Sequence, residues 1–182
     1  KMRLVMAMLA LSLSTFSYAE LTEKQVSRWV ESMPSVQTWI EKNSDKVNKH
    51  DLMKTDNGGM AGMFDGALKE LKRVGLDEDF SNLIKTQGYD SEQQWAEDSS
   101  EIVLTFMAIT MEKQSLNRQA IEQQLAQVKN SPLPEAQKKM MANMLQSSLS
   151  MMDEVEAVPV EDKTLVRPYM SKIEGQFGGH KH

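Results

Sequence analysis

Methionine is the residue type of this chain with the most distinctive chemistry. The sequence has 15 methionines, three histidines and no cysteine, so thiol nucleophiles, thiol redox reactions and thiolate metal sites are excluded. The methionines concentrate in two stretches, which contain Met60 and Met63, and Met140, Met141, Met144, Met151 and Met152. Because several of them are three or four positions apart, each stretch would place thioether sulfurs on one face of a helix.

Three interpretations of these methionines stay open at the level of the sequence. They fill a helical core, since Met adapts to irregular gaps, or the helix from Met140 to Met152 offers an adaptable apolar surface to partner proteins. The third interpretation is a site for Cu(I) or Ag(I), because thioethers are soft ligands. Its candidate ligands are Met60, Met63, Met140, Met141 and Met144, and His180 and His182 of the C-terminal HKH sequence are further candidates for a weakly held metal ion.

Catalytic residues are not predicted. The third histidine, His50, stands alone in a polar stretch, and the chain has no G-x-S-x-G elbow, phosphate-binding Gly-rich loop or H-E-x-x-H motif. Acidic residues do cluster before the most apolar segment of the chain: Glu78, Asp79, Asp90, Glu92, Glu97, Asp98 and Glu101. A solvated face, partly at helix starts, explains them, so we predict a non-enzymatic protein without a cofactor.

The element that must position these side chains is a helix near residues 101–113. Between Ile102 and Met111 eight of ten residues are apolar, two are threonines and none is charged. Ten residues are too few to cross a bilayer, and a helix that is apolar nearly all round must be surrounded by other helices. Sustained two-residue alternation is absent. The sequence therefore predicts an all-α fold, a single compact helical domain of six or seven helices around this segment.

Local signals place the other helices. Thr22 and Gln25 form a predicted capping box, and Pro34 is predicted to end the first helix and begin the next. The regular apolar spacing after Met60 predicts an amphipathic helix that Gly75 closes. Further helices are predicted over 77–87, from Pro134 to Pro159, and over 165–177. Residues 91–130 contain no Gly or Pro and form either one long helix or two helices with a break at 114–117.

The N-terminal residues have the order of features of a secretory signal peptide. Lys1 and Arg3 precede an apolar run, and Ser17 and Ala19 are small residues at a cleavage position. We predict cleavage after Ala19, a helical domain over 20–177, a disordered tail over 178–182 and a periplasmic or secreted protein. The net charge of −5, without a basic stripe, argues against nucleic acid as a partner, and no stable membrane insertion is expected after signal removal.

Two resemblances carry expectations about function. Leu21-Thr22-x-x-Gln25 resembles the LTxxQ motif of the periplasmic Spy-type chaperones, and Leu133-Pro134-x-x-Gln137 resembles a looser second copy. That family is secreted, helical and poor in cysteine, and it acts without ATP. The pattern of residues 21–42, with LVRPYMSKIEGQF near the C-terminus, is also similar to small secreted helical proteins of Gram-negative bacteria with no assigned activity. These resemblances imply a fold and a compartment.

The expected function is therefore binding. The leading hypothesis is an exported protein-interaction or chaperone-like module that uses an apolar, Met-rich surface on the helix with Met140, Met141, Met144, Met151 and Met152. The alternative is a periplasmic soft-metal protein that binds Cu(I) or Ag(I) through methionine thioethers.

Overall fold

A computed structural model of the chain describes residues 21–47, 59–114 and 118–177. The predicted signal peptide, the predicted tail with His180 and His182, and His50 lie outside the described residues. Within the described ranges the secondary structure is helical and contains no strand, so the all-α prediction is confirmed.

The described residues contain eight α-helices in chain order. They are α1 (Glu23–Lys42), α2 (Gly59–Arg73), α3 (Asp77–Thr86), α4 (Glu92–Gln114), α5 (Arg118–Lys129), α6 (Glu135–Glu156), α7 (Val160–Val166) and α8 (Met170–Phe177). A 3₁₀ turn, Arg167–Tyr169, joins α7 to α8 without interruption, so the last two form one bent unit. The described part of the chain thus has seven helical units, as the sequence predicts. In the stretch 91–130 the structure describes two helices, α4 and α5, on either side of residues 115–117, which lie outside the described residues.

Helix α4 lies at the centre of the fold. It packs against α1, α2, α3, α6 and α7, and the side chains of Ile102 and Ile109 are completely buried. A helix with apolar residues on every side needs neighbours on every side, and this requirement explains why the other helices surround it. The predicted central position of the apolar segment is confirmed.

The predicted helix end at Pro34 is wrong, because α1 continues through this residue to Lys42. Proline has no N–H, so the carbonyl of Val30, four residues earlier, loses its helical donor. The side-chain Nε2 of Gln176 in α8 donates to that carbonyl at 3.0 Å, and Nε2 of Gln37 donates to the carbonyl of Gln176 at 2.8 Å. A contact between distant helices thus satisfies the backbone group that the proline leaves without a partner.

Two helix ends predicted from local capping signals are present in the structure. Thr22 caps α1 with the reciprocal hydrogen bonds of a capping box to Gln25. Gly75 follows α2 with a φ of +73°, a left-handed conformation that only glycine adopts without strain. These ends are therefore encoded within a few residues of sequence.

The described fold divides into two regions. The body comprises α1 to α4, the C-terminal half of α6, α7 and α8, and one cluster of buried apolar side chains runs through most of it. The hairpin comprises residues 118–149, where α5 packs on α6. Its seam is a single row of apolar side chains, of which Val128 and Leu149 are buried. The hairpin therefore has one apolar contact face where the body has many.

Candidate interaction surface

The turn of the hairpin leaves an open groove between α5 and α6. Pro132 and Pro134 interrupt the helical pattern between the two helices, and the hydroxyl of Ser131 donates to the carbonyl of Val128 at 2.7 Å. The groove has a volume of about 350 Å³ and is lined by Gln124, Gln127, Val128, Ser131, Leu133, Met141, Met144 and Leu145. Five of these eight side chains are apolar, so the groove is suited to apolar groups of a partner.

Two methionines on α6 are exposed beside this groove. Met140 is 68% exposed and Met144 is 63% exposed, and their spacing of four residues places them one turn apart on the same face of the helix. Met141 and Leu145, one position later, are half-buried and line the groove. Because α5 covers only one face of α6, the next face presents its methionines to solvent. Met140, Met141, Met144 and the groove are called the methionine surface below.

The five methionines predicted to bind a partner do not share one surface. Met140, Met141 and Met144 belong to the methionine surface, whereas Met151 is half-buried and packs against the main core. Met152 is 5% exposed and is a core residue, so its assignment to a partner surface is corrected. The reason is that α6 passes from the hairpin into the body, where other helices cover it. Met152 is thus a core residue and Met140 and Met144 are exposed on the same helix, while the binding of partner proteins stays a prediction.

The candidate soft-metal ligands are likewise divided between the two regions. Met60 is 4% exposed in the main core, and Met63 packs against the same core, whereas Met141 and Met144 lie in the hairpin. The backbone N–H of Met60 donates to Glu154 of α6, which follows Met144 by ten positions or about 15 Å of helix. Within the described ranges no group of three or more Asp, Glu or His side chains could hold a metal ion. Met60 and Met63 therefore do not share one site with Met141 and Met144, and binding of a soft metal ion stays a prediction.

The charges around the methionine surface are mostly positive. Between residues 125 and 149 the chain carries Lys129, Lys138 and Lys139 but only one acidic residue, Glu135. Lys138 and Glu135 form an ion pair at 2.7 Å, in which the Glu135 side chain is 90% exposed. This end of the hairpin thus has a local charge of +2 in a chain whose net charge is −5.

A second set of polar groups lies inside the body, and the sequence analysis did not identify it. The indole Nε1 of Trp29 donates to the hydroxyl of Ser99 at 2.7 Å, and that hydroxyl donates to the carbonyl of Trp95. The indole Nε1 of Trp95 donates to Ser32 at 3.3 Å, and Ser32 donates to the carbonyl of Trp29. These reciprocal bonds hold α1 and α4 in one register. Their only sequence signal is a serine on an apolar helix face next to each tryptophan.

Asp98 is the polar anchor of the same helix pair. It is 3% exposed and accepts hydrogen bonds from Arg28 at 2.8 Å and Gln25 at 3.0 Å. The guanidinium carbon of Arg28 also lies 3.9 Å from the centre of the Tyr89 ring, a cation–π contact. Burial opposes the charged form of Arg28, but the hydrogen bond to Asp98 and nearby charges raise its pKa above the ordinary value. The predicted solvated face does not include Asp98.

Glu101 stands one helical turn after Asp98, in an environment of like charge. Its burial and the carboxylates of Asp98, Asp162 and Glu97 raise the pKa of Glu101 to about 7. Other members of the predicted acidic group lie apart, for example the exposed Asp79, which accepts a hydrogen bond from Trp39 at 2.7 Å. The acidic residues therefore do not converge on one point.

Comparison of the chain with protein-family models, curated proteins and solved structures found no match. No helix within the described ranges has the length and apolar character that a membrane crossing requires. A functional proposal therefore starts from the methionine surface and from the local chemistry of the body.

Proposed function

We propose that this chain is an exported, non-enzymatic, chaperone-like module that binds apolar segments of other proteins on the methionine surface. The observation that carries the proposal is the exposure of Met140 and Met144 beside an apolar groove. Elsewhere in the described residues the exposed large apolar side chains are Val160 and Phe177, which lie in the C-terminal unit. The methionine surface thus joins exposed apolar groups to a concave site.

The chemistry of methionine fits binding to varied sequences. Its side chain is unbranched and polarisable, so it adopts different shapes against different partners at little energetic cost. A groove of about 350 Å³ is at the small end of ligand pockets, which suits a few side chains of an extended or helical segment better than a large cofactor. Two or three apolar side chains of a partner would fill the groove, while Met140 and Met144 cover their flank.

The local charge indicates which segments bind best. Lys129 and Lys139 are exposed near the groove, and long-range attraction raises the association rate of an oppositely charged partner. Apolar segments flanked by Asp or Glu should therefore associate faster than segments flanked by Lys or Arg, and the preference should weaken as salt is added.

Export is part of the proposal. The order of features in residues 1–19 supports a signal peptide with cleavage after Ala19 and hence a periplasmic or secreted protein. A chain without cysteine suits an oxidising compartment, because it cannot form wrong disulfides with unfolded clients.

The test is the aggregation of a chemically unfolded protein, measured by light scattering without ATP, in the presence and absence of this chain. We expect suppression near an equimolar ratio, and we expect the variant with Met140→Ser and Met144→Ser to lose it. Both residues are exposed, so the variant should keep its stability within about 0.5 kcal/mol, which urea unfolding checks. The matched control is Val160→Ser, which replaces an equally exposed apolar side chain (69%) far from the groove and should keep full activity.

Two results would contradict the proposal. One is the absence of suppression by the native chain. The other is equal suppression by the native chain and the doubly substituted variant, because the activity would then come from another surface. An acidic and a basic client of similar size, compared at low salt, test the predicted charge preference.

A further inference from the structure

The methionine side chains of the described residues differ widely in their access to solvent. Met140 is 68% exposed and Met144 is 63% exposed. The other described methionines are half-buried or buried, and they are Met33, Met60, Met63, Met107, Met111, Met141, Met151, Met152 and Met170. The two methionines that solvent reaches most easily are therefore the two that stand beside the groove of the hairpin.

Access to solvent decides which thioethers a peroxide can oxidise. A lone pair of the sulfur attacks one oxygen of hydrogen peroxide, and an S–O bond forms as the O–O bond breaks. The leaving hydroxide takes the proton that stays on the transferred oxygen, so the products are a sulfoxide and water. The sulfur loses two electrons and the peroxide gains them. Because the chain has no cysteine, it has no thiol that would react with the peroxide instead.

Oxidation of Met140 and Met144 changes the property on which binding to the methionine surface depends. A sulfoxide is polar, and burying its oxygen against an apolar segment removes water from it without supplying another hydrogen bond. Met144 lines the groove, and Met140 stands one turn earlier on the same helical face. One polar oxygen would therefore enter the lining of the groove, and a second would lie beside it.

The stability of the body does not depend on these two side chains. Met60 is 4% exposed and Met152 is 5% exposed, so oxygen added to either of them would stand in a close-packed apolar core and destabilise it. Oxygen added to Met140 or Met144 would stand in solvent. A peroxide that reacts first with the exposed sulfurs thus changes the binding surface while the core keeps its packing.

We propose that the methionine surface is a redox-controlled binding site, at which hydrogen peroxide oxidises Met140 and Met144 first and the two sulfoxides release the bound apolar segment. The inference rests on the proposed function and adds its regulation. Reduction restores the surface, because a methionine sulfoxide reductase transfers two electrons from two thiols, which become a disulfide, and the oxygen leaves as water. The switch is therefore reversible, and it acts on the hairpin without unfolding the body.

The first measurement is the rate of oxidation at each methionine. The chain is treated with dilute hydrogen peroxide, and peptide mass spectrometry follows the gain of one oxygen atom at each position. We expect Met140 and Met144 to be oxidised roughly tenfold faster than Met60 and Met152, in line with their exposed fractions. The Tm of the chain oxidised at these two positions should stay within about 2 °C of the native value, because both side chains are exposed.

The second measurement is binding after oxidation. The peroxide is removed before an unfolded client protein without methionine or cysteine is added, and light scattering follows the aggregation of the client without ATP. We expect the concentration of oxidised chain that halves aggregation to rise about 10- to 100-fold. Reductases for both sulfoxide epimers, supplied with a thiol reductant, should restore the original value. Since the chain has no cysteine, the thiol acts on it only through the reductases.

Two variants separate the sulfur chemistry from the shape of the surface. Met140→Leu with Met144→Leu keeps apolar side chains of similar volume but has no thioether at these positions, so it should suppress aggregation equally before and after peroxide treatment. Met140→Gln with Met144→Gln carries a polar oxygen at both positions permanently. It should behave like the oxidised chain without any peroxide.

The outcomes distinguish this inference from the proposed function. Faster oxidation of Met60 or Met152 than of Met140 and Met144, or unchanged suppression after both have become sulfoxides, would overturn the inference and leave the proposed function intact. An equal loss of suppression in the peroxide-treated leucine variant would assign the effect to another methionine and would overturn it as well. A native chain that suppresses no aggregation before oxidation would overturn the proposed function and this inference together.

Discussion

The body and the hairpin are built from the same residue types but place them in opposite environments. Arg28 of the body pairs with an aspartate whose side chain is 5% exposed, whereas Arg118, the first residue of the hairpin, pairs with Asp153 near the end of α6, whose side chain is 67% exposed. Serine hydroxyls hold two tryptophans inside the body, whereas Ser148 of the hairpin donates to the carbonyl of Met144 in an exposed position. Contact with several helices, and not residue type, therefore decides which groups are rigidly held.

The same difference appears within helix α6. Met144 and Met152 are eight positions apart on one helix, yet the first is 63% exposed and the second 5% exposed. Regions with few buried contacts open with a lower free energy than the core of the same protein. The hairpin should thus be the adaptable region and the body its stable support, which is a suitable arrangement for binding varied partners.

The largest expected effect concerns the two arginine–aspartate pairs. Asp98→Ala leaves Arg28 and Gln25 without their buried acceptor, so we expect a loss of about 3 kcal/mol in the free energy of unfolding. Asp153→Ala removes an exposed partner of Arg118 and should cost less than about 1 kcal/mol. Urea unfolding followed by circular dichroism measures both values. Similar free-energy losses in the two variants would contradict the distinction between the buried pair of the body and the exposed pair formed by Arg118 of the hairpin.

A smaller effect is expected for the two serine hydroxyls. Ser99→Ala leaves the indole N–H of Trp29 without an acceptor in the core, and we expect a loss of about 1–3 kcal/mol. Ser148→Ala removes an exposed hydroxyl from the hairpin and should change the stability by less than about 0.5 kcal/mol. The same unfolding experiment applies, with tryptophan fluorescence as a second signal. A neutral Ser99→Ala would show that the reciprocal bonds do not contribute to holding α1 against α4.

The smallest effect is a pH dependence confined to the body. The pKa of Glu101 is raised to about 7, so between about pH 5 and 7 the folded chain holds a proton that the unfolded chain has released, and stability falls as the pH rises. Glu101→Gln should remove this fall and stabilise the chain at pH 8 by about 1 kcal/mol, less than the full shift because solvent screens a half-exposed carboxyl.

The measurement is a series of Tm values between pH 5 and pH 8 for the native chain and Glu101→Gln. A variant with substitutions in the hairpin serves as the control. The Met140→Ser and Met144→Ser variant introduces no titrating group, so its profile should follow that of the native chain. A profile of Glu101→Gln that still declines between pH 5 and 7 would assign the dependence to another group.

Local signals in the sequence were sufficient for much of the fold. The capping box of Thr22 and Gln25, the glycine after α2 and the apolar run of α4 depend on groups within one or two helical turns, so the sequence alone predicts them. The continuation of α1 through Pro34 could not be predicted, because the donor that replaces the missing N–H is Gln176, at the far end of the chain. Rules based on neighbouring residues predict the hydrogen bond that Pro34 removes, but they do not predict the bond that replaces it.

In the candidate site too, neighbouring residues predict some features and contacts with distant helices decide others. Sequence spacing alone placed Met140 and Met144 on one helical face and identified the methionine-rich helix as a surface or a core. Only the tertiary structure decided that this helix is both, since α5 covers one face at its start and the body covers its end. Likewise the sequence determined that Asp98 stands on α4, but its burial depends on Arg28 and Gln25 from another helix. Spacing along a chain determines direction around a helix, whereas burial depends on what packs there.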